Sequence, residues 1–335
     1  MTRTTPPRPV DLTELFPQLR DHSATATRLH PRPGTPTTGD SSVGGPLLWS
    51  ADEPWPVCMD GDAHYVDTLM TPATVRRSRE IYTAAQARAA ATGTPYELTD
   101  EERAQVPAYD FSEPHTLLLQ PIPLVPVAQL YQRDIPDFVG PDGADVLQVL
   151  WCPLDHPEDG YNPRVRLIWR RSTDVTTPLE QAPEPPVVND SYLPVSCVVH
   201  PERVREYQYG DLLPDELGER ITAWEQAQER TEDDHIARDY QSDLSLAPGW
   251  KVAGFASWSL SDPQPMNCTE CGRAMTLLLT ADSGEWDGTE CSWRPVEEPA
   301  DASPDPTGVT IGRGYALYVF RCPASFDHPP ATAMQ

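Results

Sequence analysis

The chain has 335 residues, with 25 basic and 51 acidic side chains, a net charge of −26 and 39 prolines. A field of that sign repels phosphate backbones and anionic lipid, which argues against general nucleic-acid or membrane-surface binding. The proline content argues against a long helical bundle and for loop-rich structure, and the length allows one large core or two of ordinary size.

The opening residues, "MTRTTPPRPVDLTELFPQLRD", contain no signal-like apolar run, and no stretch approaches the length that crosses a bilayer. Seven cysteines in such a chain read as thiols or metal ligands rather than a disulfide framework, so the expected compartment is the cytoplasm. Residues 1–40 read as a partly flexible leader with a short helix in "VDLTELFPQL". From residue 41 the text turns aromatic and turn-rich, and Trp49 and Trp55 are expected to close a core rather than anchor a partner. A helix is predicted over 72–91, ended by "TGTP", and a second after it, because Thr99 precedes Glu102 by three residues in a capping box. Together they form a helical insertion over 72–106. "LVPVAQLY" and "VLQVLW" read as buried strands and "RVRLIWRR" as an alternating one. These place a first α+β unit at 41–210. An acidic helical connector follows at 211–245, its apolar stripe being Leu217, Ile221 and Trp224. A second unit at 246–335 returns to strands in "KVAGFASW", "MTLLLT" and "GYALYVF".

An internal echo links the two units. "LQVLWCP" at 147–153 matches "LYVFRCP" at 317–323, and each is followed by Asp-His-Pro, at Asp155-His156-Pro157 and Asp327-His328-Pro329. Upstream, Cys58 and Cys268 each precede an apolar strand. The expected fold class is α+β: duplicated, mostly antiparallel sheet units with helical insertions and a zinc-knuckle turn near the C-terminus. "SSVGGPLLWSADEPWP", "PVAQLYQRDIP", "VLQVLWCP", "GWKVAGFASW", "CTECGRAMTLLLTADSGEWDG" and "GVTIGRGYALYVFRCP" also occur in the order seen in YwqG-like proteins. The chain resembles that family over roughly residues 40–330, and more closely its larger, cysteine-bearing relatives in actinobacteria. The resemblance implies a duplicated α+β architecture and, since the family has no established reaction, little about chemistry.

Cys268 and Cys271, two residues apart with Gly272 following, form half of a zinc site, because a Cys-x2-Cys turn lets both sulfurs reach one ion. Cys322 and His328 are the expected second pair, with Cys291 as a competitor for the place of His328. The duplication predicts a matching set of Cys58, His64, Cys152 and His156, for which Cys197 and His200 compete. His22, His30, His115 and His235 lack partner spacing and read as solvated or capping. The acidic run Glu285, Asp287, Glu290 reads as a solvated turn before a cation site. No phosphate-binding loop, dinucleotide fingerprint or nucleophile elbow occurs. The expectation is therefore structural Zn²⁺ in a protein-binding or regulatory module, with no catalytic residues assigned. Its partner would be a protein, a basic one best suiting the charge. The rivals are a metal-dependent enzyme using the first Cys/His group with Asp155 as base, and small-ligand binding between the units.

Overall fold

The computed structural model describes residues 2–61, 64–65, 70–107, 118–229, 238–286, 291–299 and 302–335. Among these are fourteen strands: β1 Ser23–Arg28, β2 Arg32–Pro33, β3 Ser42–Val43, β4 Val57–Cys58, β5 Ile122–Pro123, β6 Val125–Tyr131, β7 Val146–Trp151, β8 Val165–Arg170, β9 Cys197–Val198, β10 Glu202–Tyr207, β11 Lys251–Ala253, β12 Thr276–Asp282, β13 Ala316–Arg321 and β14 Ala331–Met334. They form two six-stranded antiparallel sheets, ordered β2-β9-β3-β6-β7-β8 and β10-β1-β11-β12-β13-β14, with β4 and β5 as a separate pair. One apolar cluster joins them: Val43, Val127, Leu147 and Val149 from the first sheet with Val252, Leu279, Leu317 and Val319 from the second. The architecture is the α+β mix of antiparallel sheets and helices that the sequence pattern called for.

Helices α1 Leu12–Leu15, α2 Pro72–Thr92, α3 Asp100–Gln105 and α4 Asp215–Glu229 follow from local signals. Thr71 caps α2 by accepting from the Thr74 amide, Pro72 opens it, and Gly93 ends it at φ +64°. The Thr99–Glu102 capping box is present at the start of α3. Leu217 and Ile221 of α4 bury against Leu12, Phe16 and Leu19, with Trp224 packed beside them. The helix expected to run on through "RTEDDHIARD" reaches Glu229, and the residues after it, 230–237, lie outside those described.

Corresponding strands of the two sheets share their order and their register. Ser42 and Val43 pair with Gln129 and Ala128 as Lys251 and Val252 pair with Thr280 and Leu279. The β6–β7 pairing shifts between Pro126 and Ala128, and the β12–β13 pairing between Leu277 and Leu279. The chain division differs from the expected one. β1, in the supposed leader, pairs with both β10 and β11 in the second sheet. β9 occupies the corresponding place beside β3 in the first sheet. The expected boundaries at 40 and 210 therefore do not separate the sheets. "SATATR" gave no strand signal because its small and hydroxylated residues show no apolar alternation, and only pairing on both edges makes it a strand.

Candidate metal centres

Strand ends bring the first Cys/His group together. Cys58 ends β4 opposite Ile122 of β5, and Cys152 follows β7, its amide donating to the Arg164 carbonyl at 2.9 Å. Asp155 pairs with Tyr65 in an isolated bridge, and His156 pairs with Asn162 across a tight turn. Cys152 and His156 are fully buried, Cys58 is 6% exposed and His64 9%. His64 Nε2 lies 3.2 Å from Cys58 Sγ and 3.5 Å from Cys152 Sγ, while His156 Nε2 lies 3.9 Å from Cys58 Sγ. His64 Nδ1 sits 2.9 Å from the Leu118 carbonyl, an acceptor only, so Nδ1 carries the proton and Nε2 offers its lone pair to the sulfurs' side.

The second group forms at the corresponding places. Asn267 and Ala274 bridge the neck of the Cys268–Cys271 turn, the Gly272 amide donates to the Cys268 carbonyl at 2.8 Å, and Gly272 adopts φ +69°. Cys322 follows β13 as Cys152 follows β7. Cys268 Sγ lies 3.3 Å from His328 Nδ1, and Cys271 Sγ 3.5 Å from Cys322 Sγ. The loop carrying Cys322 and His328 is pinned to the first sheet by Phe326, whose ring meets Trp169 of β8 edge to face at 5.1 Å. Cys271 is exposed, whereas Cys268 and Cys322 are buried.

In each group the four ligand atoms lie within 4.8 Å of one another, so each could hold a metal ion. A tetrahedral ion with bonds of about 2.3 Å to sulfur and about 2.0–2.1 Å to nitrogen separates its ligands by roughly 3.3–3.8 Å. Five separations within the two groups, 3.2–3.9 Å, sit on that scale. A second observation fits the same reading. The His156 ring is wholly buried, its Nδ1 has no hydrogen-bond partner among the described residues, and its Nε2 reaches only a sulfur at 3.9 Å. A buried imidazole so poorly paired with protein is costly unless an ion takes one nitrogen.

The electrostatics favour one thiolate in each group, at Cys58 and at Cys322, while Cys152 and Cys271 are pushed up. A hydrogen bond from Cys152 holds Cys58 far below the usual thiol range, His156 and His64 adding to the effect while burial opposes it. Burial, with that same contact, pushes Cys152 up, as expected when two adjacent thiols share one proton. Burial disfavours charge on His64, but Cys58 and the Leu118 carbonyl outweigh it and raise its pKa. In the second group burial opposes the Cys322 thiolate, yet the amides of Ala324 and Ser325, with His328 and Cys271, bring Cys322 down to about 6. The Ala324 amide donates to that sulfur at 3.3 Å.

Two of the competing ligands, Cys197 and His200, fall elsewhere. Cys197 lies in β9, donates to the Pro306 carbonyl at 3.4 Å, and burial pushes its thiol up to about 12. It belongs to the intersheet core, and neither it nor His200 joins a Cys/His group. The side chains of Cys291, His115 and His235 lie outside the described residues, as do Asp287 and Glu290. Glu285 is no solvated turn residue: it is 1% exposed and lies 3.1 Å from His30. His30, read as solvated or capping, is wholly buried with Glu202 on its other side at 3.2 Å. Spacing missed it because both carboxylates lie more than 170 residues away; the one local clue was that His30-Pro31 in "LHP" matches His200-Pro201 in "VHP". Trp49 is 2% exposed and packs on Trp55 with ring centroids 4.9 Å apart, a core role. Asp155 is held by the Tyr192 hydroxyl at 2.7 Å and Asn189 Nδ2 at 3.2 Å.

No protein-family model matches this chain, and no curated protein matches it. Among the described residues no helix is long and apolar enough to cross a membrane, and six cysteines are free.

Proposed function

We propose that each Cys/His group holds one zinc ion in a structural role: Cys58, His64, Cys152 and His156 on the first sheet, Cys268, Cys271, Cys322 and His328 on the second. The observation that carries this reading is the convergence of four soft or borderline donors in each group at tetrahedral edge lengths. Thiolate with imidazole in that geometry selects zinc among the common ions. Each ion would tie the end of a central strand, at Cys152 or Cys322, to a turn from a different part of the chain. It would supply Coulombic and covalent closure between those segments.

Four protein ligands leave no open position for a substrate or an activated water, which supports a non-catalytic role. The residue best placed by sequence to serve as a base, Asp155, is already engaged by Tyr192 and Asn189. The remaining functional reading is a protein-binding or regulatory module whose net charge of −26 suits a basic protein partner in the cytoplasm. Shared strand order and register support descent of both halves from one duplicated unit, with β1 and β9 exchanged between the sheets. The YwqG-like motif order is consistent with the same history.

Metal analysis of protein purified without chelator tests the proposal. Two zinc ions per chain are expected in the wild type, falling to one in Cys58→Ser/Cys152→Ser and to one in Cys268→Ser/Cys271→Ser. A metal-replete wild type without zinc would refute it. A wild type with a single zinc, retained in full by the Cys58→Ser/Cys152→Ser protein, would confine the site to the second sheet.

A further inference from the structure

Lys251, the only lysine of the chain, sits in β11 with its side chain 3% exposed. Its cross-strand neighbour is Thr280, and that of Thr280 is Tyr318, so the three side chains stand in a row on one face of the second sheet. Asp282, two residues beyond Thr280, shares that face. All four line a cavity of about 570 Å³ on the side of the sheet away from the intersheet core, walled also by Tyr209, Trp293 and Tyr315.

The floor of this cavity has polar capacity that the protein leaves unused. The Thr280 hydroxyl is buried, the residue being 2% exposed, and has no hydrogen-bond partner among the described residues. Lys251 Nζ has three N–H groups and one acceptor among those residues, Glu206 Oε1 at 2.6 Å. Glu206 also accepts from the amides of Ala247 and Phe255, each at 2.9 Å. The Asp282 carboxylate accepts from the Gly249 amide at 2.9 Å and the Gly284 amide at 3.3 Å, which leaves lone pairs available toward the cavity.

The corresponding row in the first sheet shows what a filled version looks like. There the matching positions are Ser42, Gln129 and Gln148, and the segment 38–48 lies over them. Gln129 Nε2 donates to the carbonyls of Thr38 and Asp40, its Oε1 accepts from the Leu48 amide, and Gln148 donates to the Leu48 carbonyl. Main chain thus answers both glutamines, the Ser42 hydroxyl staying unpartnered among the described residues, whereas over Lys251 and Thr280 a cavity takes its place, Tyr318 Oη accepting from the Ser257 amide at 3.1 Å. An unpartnered buried hydroxyl and an ammonium with spare N–H groups beside a carboxylate are the pattern of a small-ligand site.

We propose that this cavity binds a free α-amino acid, its carboxylate taken by Lys251 and Thr280 and its ammonium by Asp282. The spacing suits that ligand. Two residues along a strand put the Thr280 and Asp282 positions about 6.8 Å apart. An α-amino acid spans roughly 3 Å between carboxylate oxygen and nitrogen, and a hydrogen bond of about 2.8 Å at each end lets it reach both. Lys251, Glu206, Asp239 and Asp282 sum to two negative charges, so the ammonium is the indispensable group and a bare carboxylate is repelled. A cavity of about 570 Å³ exceeds a backbone's needs and leaves room among Tyr209, Trp293 and Tyr315 for a large side chain.

The test is calorimetry on full-length, metal-replete protein with the common L-amino acids and, for each that binds, its N-acetyl derivative. Binding of at least one with a large side chain, and loss of binding on N-acetylation, is expected. Asp282→Asn and Thr280→Val, both close in volume to the native residues, should each weaken binding, by at least about tenfold for the charged contact. Circular dichroism identifies any variant that fails to fold, in which case the wild-type panel alone decides. No binding by any L-amino acid overturns the proposal. So does equal binding of the N-acetyl derivative, or unchanged affinity in both folded variants.

Discussion

Lys251→Met isolates the energy of the buried ion pair in the second sheet. Lys251 Nζ lies 2.6 Å from Glu206 Oε1, with the two side chains 3% and 0% exposed. Methionine keeps the aliphatic stem and removes only the charge, so packing loss is small and the main effect is a stranded carboxylate. Glu206 would retain the amides of Ala247 and Phe255, two hydrogen bonds that soften its isolation but cannot neutralise it. Breaking a buried pair from one side costs about 3–5 kcal/mol. A chain of 335 residues unfolds with an entropy of roughly 0.7 kcal/mol/K, so the melting temperature should drop by about 4–7 °C. Adding Glu206→Gln to the same chain should recover part of that drop, because the amide carries no charge, although the Ala247 and Phe255 amides donate to separate oxygens and the new NH2 group must face one of them. Calorimetric melting of wild type, both single variants and the double variant reads all of this as one cycle. A Lys251→Met protein that melts with the wild type, or a double variant no better than the single, would refute the argument.

Three further outcomes follow from the same geometry. With zinc bound in both groups, a thiol-reactive mercurial should release one equivalent rapidly and the second slowly, because Cys271 is exposed while Cys58 and Cys152 are buried. Simultaneous release, followed with a metal-chelating dye, would contradict that order. Burial raises the Asp282 carboxyl to about 6 from an ordinary 3.8, the amides of Gly249 and Gly284 opposing it only in part. Its folded pKa lies above the unfolded one, so the stability it contributes is full below about 3.8 and is lost as pH rises through about 6; Asp282→Asn should flatten the wild-type stability profile across that window. Gly272 turns the Cys268–Cys271 knuckle at φ +69° with open space where a side chain would stand. Gly272→Val should therefore cost about 1–2 kcal/mol through backbone strain alone, lowering zinc retention at the second group and sparing the first, as competition with a chelator would show.

The sequence by itself determined the local elements and both candidate ligand sets. A capping threonine followed by a proline defines the start of α2, and a Thr-x-x-Glu box defines that of α3, because helix ends are satisfied by side chains a few residues away. Cys152 and Cys322 were legible because each ends an apolar strand with the same Cys-Pro step, and the spacing to Asp-His-Pro marked His156 and His328 as their companions. Tertiary structure decided what rests on long-range pairing. β1 and β9 lie beside strands from the other half of the chain, and nothing in "SATATR" or "CV" announces that exchange, since strand pairing is set by which edge is open. The same reason hid His30 and Lys251. A buried charge is acceptable only where its partner arrives, and Glu202, Glu285 and Glu206 arrive from other strands and loops through the register of the second sheet.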